Sequence, residues 1–173
     1  VDGVVVHASA ARHHTGPVSP ATRVRRLDSV PPPAWHLFSL EHYWSHPYFG
    51  VDRGRSMPVL ATRGCPYKCS FCSSPQMWTT RYVVRDPNDV VDEIERYVVD
   101  WGVTNINFCD LTAITRRKWT LEFCDALTER RLDITWQLPV GTRAEALDAE
   151  VLQRLHDTGC RNITYAPESG SER

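Results

Sequence analysis

The feature that most constrains the fold is a repeat of short strand-like segments. NINF, DITW and NITY begin at Asn105, Asp133 and Asn162, 28 and 29 residues apart. Between them, apolar residues recur every three or four positions, the spacing of an amphipathic helix. Strands that alternate with helices at constant spacing predict parallel β/α units. Equal units placed side by side favour a barrel.

The helix before the first repeated segment has both ends marked. Asp86 and Pro87 predict its N-cap and first turn, and Gly102 predicts its end. A short buried strand, MPVLATRG at residues 57–64, precedes it. The chain therefore predicts an α/β fold with about four β/α units, a partial barrel. Two further helices are predicted. One has an apolar stripe of Trp119, Phe123 and Leu127, and the other begins at the cap residue Asp148 and ends at Gly159.

Side chains alternate in character along the repeated strands. The apolar set, expected to face the helices, is Ile106, Phe108, Ile134, Trp136, Ile163 and Tyr165. The polar set is Asn105, Asn107, Cys109, Thr135, Gln137, Asn162, Thr164 and Glu168. Closed barrels normally fill their interior with branched apolar side chains. A polar interior therefore predicts a cavity that holds a polar ligand. The alternative, an open sheet with one hydrated face, is rare among parallel sheets.

Prolines divide the chain into two regions. PPPAW at residues 31–35 cannot continue a helix or lie inside a sheet. We predict that residues 1–57 form an extended linker, with VDGVVV at residues 1–6 as the possible end of an upstream domain. Residues 58–173 are predicted to be the N-terminal part of a truncated barrel.

Charge and hydropathy exclude several classes of protein. The net charge of -1 gives no basic excess for nucleic acid. No apolar run approaches the roughly 20 residues of a membrane span. The first residues also lack the pattern of a signal peptide. We therefore expect a soluble, cytoplasmic protein without a membrane span, in which clustered cysteines are more often metal ligands than disulfides.

Three cysteines lie close together in TRGCPYKCSFCSSP, at positions 65, 69 and 72. A structural zinc site takes four ligands, and no second cysteine pair follows. A 4Fe-4S cluster also normally takes four, so three thiolates leave one iron open to bind another molecule. A structural zinc module and an electron-transfer iron-sulfur protein stay open as alternatives. The other cysteines, expected to be small buried hydrophobes, are Cys109, Cys124 and Cys160.

CPYKCSFC resembles the C-x-x-x-C-x-aromatic-C signature of radical S-adenosylmethionine (radical SAM) enzymes, and the resemblance extends from Pro31 to Arg173. It implies that Cys65, Cys69 and Cys72 hold a 4Fe-4S cluster whose open iron binds S-adenosylmethionine. A reductant such as flavodoxin or ferredoxin would supply one electron. Cleavage of the cofactor would then give methionine and a 5'-deoxyadenosyl radical that abstracts hydrogen from a small-molecule substrate.

Three further segments, PPPAWHLF, NFCDLTA and YAPESGSE, resemble the subgroup that carries a cobalamin-binding domain ahead of the barrel and is related to anaerobic magnesium-protoporphyrin ester cyclases. The expected reaction is C-methylation, ring formation or rearrangement. The cobalamin motif D-x-H-x-x-G is absent, so any cobalamin would be bound by a domain outside this chain. The family barrel also has six units rather than four.

The resemblance and the alternation together nominate further cofactor contacts. Phe71 would lie near the adenine, Arg143 would meet a carboxylate, and Glu168 and Ser169 would contact the cofactor. The alternation turns Gln137 and Glu168 inward. Asp110 is the acidic candidate. The alternation predicts that its side chain points outward, like that of Phe108, unless the strand has ended before it. These cofactor-binding candidates are Phe71, Asp110, Gln137, Arg143, Glu168 and Ser169.

Overall fold

A computed structural model describes residues 24, 26–46, 51, 53–165 and 167–171. The opening segment VDGVVV lies outside the described residues. In chain order the elements are α1 (Leu40–Trp44), β1 (Ser56–Val59), β2 (Thr62–Arg63), α2 (Ser74–Trp78), β3 (Val83–Val84), α3 (Pro87–Trp101), β4 (Asn105–Phe108), α4 (Arg117–Arg130), β5 (Thr135–Leu138), α5 (Ala149–Asp157) and β6 (Cys160–Ile163). Among the described helices, none has the length and apolarity that a membrane span requires.

The main sheet has four parallel strands in the order β1-β4-β5-β6. Helices α3, α4 and α5 each precede the next strand of this sheet, which is the alternation that the repeat predicts. A separate antiparallel pair, β2 with β3, flanks the cysteine segment. The predicted α/β architecture with about four β/α units is confirmed.

Side chains fix the helix ends where the sequence predicts them. The Asp86 carboxylate accepts a hydrogen bond from the Asn88 N–H, which satisfies one of the free amides of the first turn of α3. Gly102 ends this helix in the left-handed conformation, with φ of 62°. At the start of α5, the Asp148 carboxylate accepts from the Val151 N–H in the same way. Local chemistry therefore sets these boundaries.

The apolar face of the sheet packs against the helices through three aromatic rings. The centroids of Phe108, Phe123 and Trp136 lie 5.4 to 5.5 Å apart, in edge-to-face arrangements. Ile106 is also fully buried, as the alternation predicts. For Tyr165 the prediction is wrong, because its side chain is 51% exposed. Strand β6 ends at Ile163, so the alternation of the strand does not extend to this residue.

The segment before β1 is more structured than an extended linker. It contains two short 3-10 turns, at Leu27–Ser29 and Trp35–Leu37, as well as α1. The Trp35 indole N–H donates to the Tyr97 hydroxyl of α3 at 2.8 Å, and the Trp44 indole N–H donates to the Ser56 carbonyl at 2.9 Å. Between residues 26 and 46 the segment is therefore not fully extended and packs on α3 and β1, while the division of the chain at residue 57 stays a prediction.

A buried ion pair continues this contact toward β1. The Tyr97 hydroxyl donates to Glu93, and Glu93 accepts from Arg85 Nη1 at 2.6 Å. Arg85 Nη1 also donates to the carbonyl of Leu60, directly after β1, at 3.0 Å. Glu93 is only 5% exposed, and a buried charge of this kind requires a paired and hydrogen-bonded partner. The network links Trp35 to the end of β1.

Candidate iron-sulfur and cofactor site

The cysteine loop, residues 65–72, follows β1 and β2 at the carboxyl end of the parallel sheet. This is the edge at which β/α barrels place their reactive groups. All three thiols are free; Cys65 and Cys69 are half-buried and Cys72 is exposed. The Cys72 N–H donates to the Cys69 carbonyl at 3.1 Å, which closes a turn between these two residues. The loop thus presents its sulfur atoms from a defined backbone.

A glycine fixes the direction in which the chain enters the loop. Gly64 has φ of 88°, a left-handed conformation that favours glycine. A Cβ atom at this position would lie 2.1 Å from the Arg81 carbonyl oxygen of the facing segment. No other residue fits there, so the segment from β2 to Cys65 depends on Gly64.

Two of the cysteine sulfurs have hydrogen-bonding groups beside them. The Ser74 N–H donates to Cys72 Sγ at 3.4 Å, and hydrogen bonds from Ser74 lower the pKa of Cys72. Thr112 Oγ1, in the loop after β4, lies 3.9 Å from Cys65 Sγ. A lower thiol pKa favours the thiolate, the form that binds metal. The sequence did not predict either contact, although Thr112 lies in the loop that shares this edge of the sheet.

The chemistry of the donor set, three thiols on one loop, fits a 4Fe-4S cluster. No three His, Cys, Asp or Glu side chains of the described part of the chain converge as ligands of one metal ion would. In a 4Fe-4S cluster each thiolate holds a different iron, so the sulfurs need not meet at one point. The free thiols of Cys65, Cys69 and Cys72 on a single loop fit that requirement.

The isolated cysteines have the surroundings of structural residues. Cys124 and Cys160 are buried, as predicted. Burial raises the pKa of Cys160 to about 12 and that of the half-buried Cys109 to about 11. These thiols therefore stay protonated near neutral pH, unlike a metal-binding thiolate.

Two charged candidates lie beside the cysteine loop. The Arg143 guanidinium lies 4.2 Å from the centroid of the Tyr67 ring and donates to Glu145 at 3.0 Å. Cys69 is near enough to contribute to the electrostatic surroundings of Arg143. Glu168 similarly acts on Cys72, where its negative charge opposes the dominant pKa-lowering effect of Ser74. The structure thus brings residues after β5 and β6 to the same loop.

Three of the predicted cofactor-binding residues, Phe71, Glu168 and Ser169, are exposed. Glu168 lies beyond the end of β6, so the predicted inward orientation from strand alternation is wrong. Its φ of 62° is uncommon for a residue other than glycine, and such conformations cluster at functional sites. The Ser169 N–H donates to the Pro167 carbonyl at 2.7 Å. Phe71 is 71% exposed.

Asp110 has a structural set of partners instead of a position facing a ligand. Its carboxylate is 1% exposed and accepts from the Ala61 N–H at 3.2 Å and from both the N–H and the hydroxyl of Thr62 at 2.5 Å. Burial raises the pKa of Asp110 to about 6, although these hydrogen bonds favour the charged form. Because β4 has ended at Phe108, strand alternation does not orient this residue. The expected cofactor contact is corrected to a brace between the ends of β1 and β4.

The side-chain amide of Gln137 likewise makes its hydrogen bonds within the protein. Its Nε2 donates to the Val51 carbonyl at 2.9 Å and to Asn107 Oδ1 at 2.7 Å. Its Oε1 accepts from the Val51 N–H at 3.1 Å and from Asn162 Nδ2 at 3.4 Å. Two donors and two acceptor positions are all that a glutamine amide offers. The prediction of a cofactor contact at Gln137 is therefore corrected.

Gln137 belongs to a polar ladder, which comprises Asn105, Asn107, Thr135, Gln137 and Asn162. Asn105 Nδ2 donates to Asn107 Oδ1 at 2.9 Å, and the Thr135 hydroxyl donates to Asn105 Oδ1 at 2.9 Å. The alternation correctly places these residues on one face of the sheet. Most of the printed hydrogen bonds of these side chains join members of the ladder, and the ligand cavity inferred at this position stays a prediction.

A cavity of about 530 Å³ lies elsewhere, between the segment before β1 and helix α3. Its lining includes Pro32, Trp35 and Glu93 but none of the three clustered cysteines. The candidate site is thus an exposed loop surface rather than this cavity.

Comparison with known proteins identifies the family. Residues 59–173 match the model of the radical SAM superfamily. The chain is 34% identical over 154 residues to an anaerobic magnesium-protoporphyrin IX monomethyl ester cyclase of Cereibacter sphaeroides, covering 88% of this chain and 24% of that protein. It is 30% identical over 165 residues to the cytidylyl-2-hydroxyethylphosphonate methyltransferase of Streptomyces wedmorensis, covering 92% and 30%. The chain thus spans less than a third of the length of these relatives.

Solved structures share the fold. TsrM of Kitasatospora setae, a radical S-adenosylmethionine methyltransferase, matches with a TM-score of 0.54 and 22% identity over 68% of this chain and 22% of its own. OxsB, a cobalamin-dependent S-adenosylmethionine radical enzyme, matches with a TM-score of 0.57 and 18% identity over 67% and 19%. Because the superfamily model covers residues 59–173, including the whole cysteine loop, the chain belongs to the radical SAM superfamily.

Proposed function

We propose that this chain is the cluster-binding part of an enzyme that reductively cleaves S-adenosylmethionine. Three free thiols on one loop, with no fourth cysteine beside them, carry the proposal. Cys65, Cys69 and Cys72 would hold a 4Fe-4S cluster and leave one iron for the cofactor. When bound, the cluster would supply the electron that starts radical chemistry on a small molecule. A one-electron donor such as flavodoxin or ferredoxin would reduce it.

The charged residues beside the loop would bind the cofactor. Arg143 is held against Tyr67 and would pair with a carboxylate, because a guanidinium offers several donors in one plane. Glu168 and Ser169 would accept or donate hydrogen bonds to the amino or hydroxyl groups of the cofactor. The backbone of Phe71 would lie near the adenine of the cofactor. Glu168 and Ser169 are exposed, and Arg143 is partly exposed.

The reaction would be C-methylation, ring formation or rearrangement. Similar proteins include both a methyltransferase and a ring-forming cyclase. OxsB and TsrM structures contain cobalamin, which supports cobalamin use by the parent protein through a domain outside this chain. We also propose that the chain is divided into a linker, residues 1–57, and part of the barrel, residues 58–173.

Anaerobic reconstitution of the full-length protein with iron and sulfide tests the proposal. We expect a brown protein whose reduced cluster gives an EPR signal that shifts when S-adenosylmethionine is added. A colourless protein that retains one zinc would support the zinc alternative. A cluster whose signal ignores S-adenosylmethionine would support the electron-transfer alternative. Either result would contradict the proposed function.

A further inference from the structure

The hydroxyl of Thr112 lies beside Cys65, a proposed cluster ligand, and residues of two other segments contact the Thr112 backbone. Thr112 is 6% exposed and its Oγ1 lies 3.9 Å from Cys65 Sγ. The Tyr82 hydroxyl donates to the Thr112 carbonyl at 3.1 Å, and the Thr62 hydroxyl lies 3.5 Å from the same oxygen. The Thr62 proton is donated to Asp110, so the Tyr82 hydroxyl is the group that holds the Thr112 backbone and positions its side chain.

The Thr112 hydroxyl has two acceptors within reach. Besides Cys65 Sγ, it donates to the Leu111 carbonyl at 2.7 Å. While Cys65 is a neutral thiol, either the thiol or the hydroxyl can be the donor. A thiolate bound to iron carries no proton, so only Thr112 can then donate. Hydrogen bonds to an ionised acceptor are stronger than those to a neutral carbonyl, which favours the contact with sulfur.

We propose that Thr112 donates a hydrogen bond to the Cys65 sulfur of the loaded enzyme and thereby raises the reduction potential of the cluster. Reduction adds negative charge to the cluster and its thiolates, so a donor at sulfur stabilises the reduced state more than the oxidised state. Hydrogen bonds to the sulfurs are one of the features that set the potential of iron-sulfur clusters. The inference rests on the proposed function and makes Thr112 a positioning and tuning residue, not a catalytic one.

An EPR-monitored redox titration of the reconstituted full-length protein measures this effect. Thr112→Val removes the hydroxyl at nearly constant shape, and we expect the equilibrium constant for one-electron reduction to fall about tenfold, or about 59 mV. Thr112→Ser keeps the donor and should remain within about twofold of wild type, a difference of less than about 20 mV. Thr120→Val is the matched control, because Thr120 is also buried but its hydroxyl donates to the Arg116 carbonyl at the start of α4.

The outcomes separate this inference from the proposed function. An intact cluster with unchanged potential in Thr112→Val would overturn the inference while the proposed function stands. A wild-type protein without a cluster would overturn both. If Thr112→Val does not retain its cluster, Thr112→Ala tests the same loss without a steric clash, and an unchanged potential there would overturn the inference. If Thr112→Val and Thr112→Ala both lose the cluster and Thr112→Ser retains it, the result would support the inference. Loss of the cluster in all three variants would overturn the inference.

Discussion

The cysteine loop and the polar ladder are both rich in groups that bind ligands, yet only the loop is available. Cys72 in the loop is exposed, whereas Asn105 and Gln137 in the ladder are fully buried. In the ladder, amide donors and acceptors meet one another across the strands. The comparison teaches that spare hydrogen-bonding or coordination capacity, not polarity, identifies a ligand site.

Strand register explains the difference. Asn107 pairs with Gln137, and Gln137 pairs with Asn162 in the neighbouring strand. Adjacent strands lie about 4.8 Å apart, so amides at paired positions on one face can bond directly. A loop beyond the strand ends has no such register. Its thiols are therefore left for a ligand from outside.

The cysteine substitutions should have the largest effect. Replacing Cys65, Cys69 or Cys72 singly with Ala should abolish the cluster, because each would hold its own iron. Iron content and the absorption of the reconstituted protein measure the loss. Cys124→Ala is the control, and should keep the cluster at a loss of about 1 kcal/mol of packing. An intact cluster that cleaves S-adenosylmethionine in any of the three variants would contradict the assignment.

The ladder should respond in stability rather than in ligand binding. Gln137→Met keeps the volume but removes four hydrogen bonds and leaves partners unsatisfied, so the free energy of unfolding should fall by about 3 kcal/mol. Urea unfolding measures this change. Gln153→Met, on the exposed side of α5, should change stability by less than about 0.5 kcal/mol. A large loss of cofactor affinity in folded Gln137→Met would contradict the claim that the ladder contributes to stability and not to ligand binding.

Asp110 should make stability depend on pH. Its folded pKa of about 6 lies above the usual value near 3.9, so the fold favours the protonated form. This contribution is present below about pH 4 and is lost as pH rises to about 6. Relative to Asp110→Asn, wild type should lose on the order of 2 kcal/mol across that window. Urea unfolding at several pH values checks it, and a constant difference between the two proteins would refute it.

Glu168 should give the smallest effect. Its exposure places the loss at the lower end for a charge-assisted hydrogen bond, so Glu168→Ala should weaken S-adenosylmethionine binding about tenfold, or about 1.4 kcal/mol. The cluster spectrum should not change. Glu129→Ala, an exposed glutamate on α4, is the matched control for equilibrium binding. Affinity within about twofold of wild type would remove Glu168 from the cofactor site.

Features set by neighbouring residues could be predicted from the sequence. Asp86 and Gly102 mark the ends of α3 because caps act within a few residues. The face occupied by Gln137 also follows from strand periodicity, and the cysteine spacing predicts membership of the radical SAM superfamily, which the family model confirms. Each of these inferences needed only local chemistry.

Features that depend on distant segments could not be predicted. The Val51 backbone that engages Gln137 is 86 positions away, and Trp35 is 62 positions from Tyr97. Asp110 faces β1 only because β4 stops at Phe108 and the chain turns there. Strand periodicity carries no information beyond the point where the strand ends. The same limit misplaced Tyr165 and Glu168.

The packing of Trp35 on α3 has a practical consequence for protein engineering. A recombinant fragment trimmed to begin at β1 would expose the Tyr97 hydroxyl and remove Asp28, which lies 3.7 Å from Arg85 Nε. Arg85 in turn holds the carbonyl of Leu60, immediately before the segment that leads into the cysteines. The smallest useful expression product should therefore begin upstream of Leu27, where a cut leaves this chain of contacts whole.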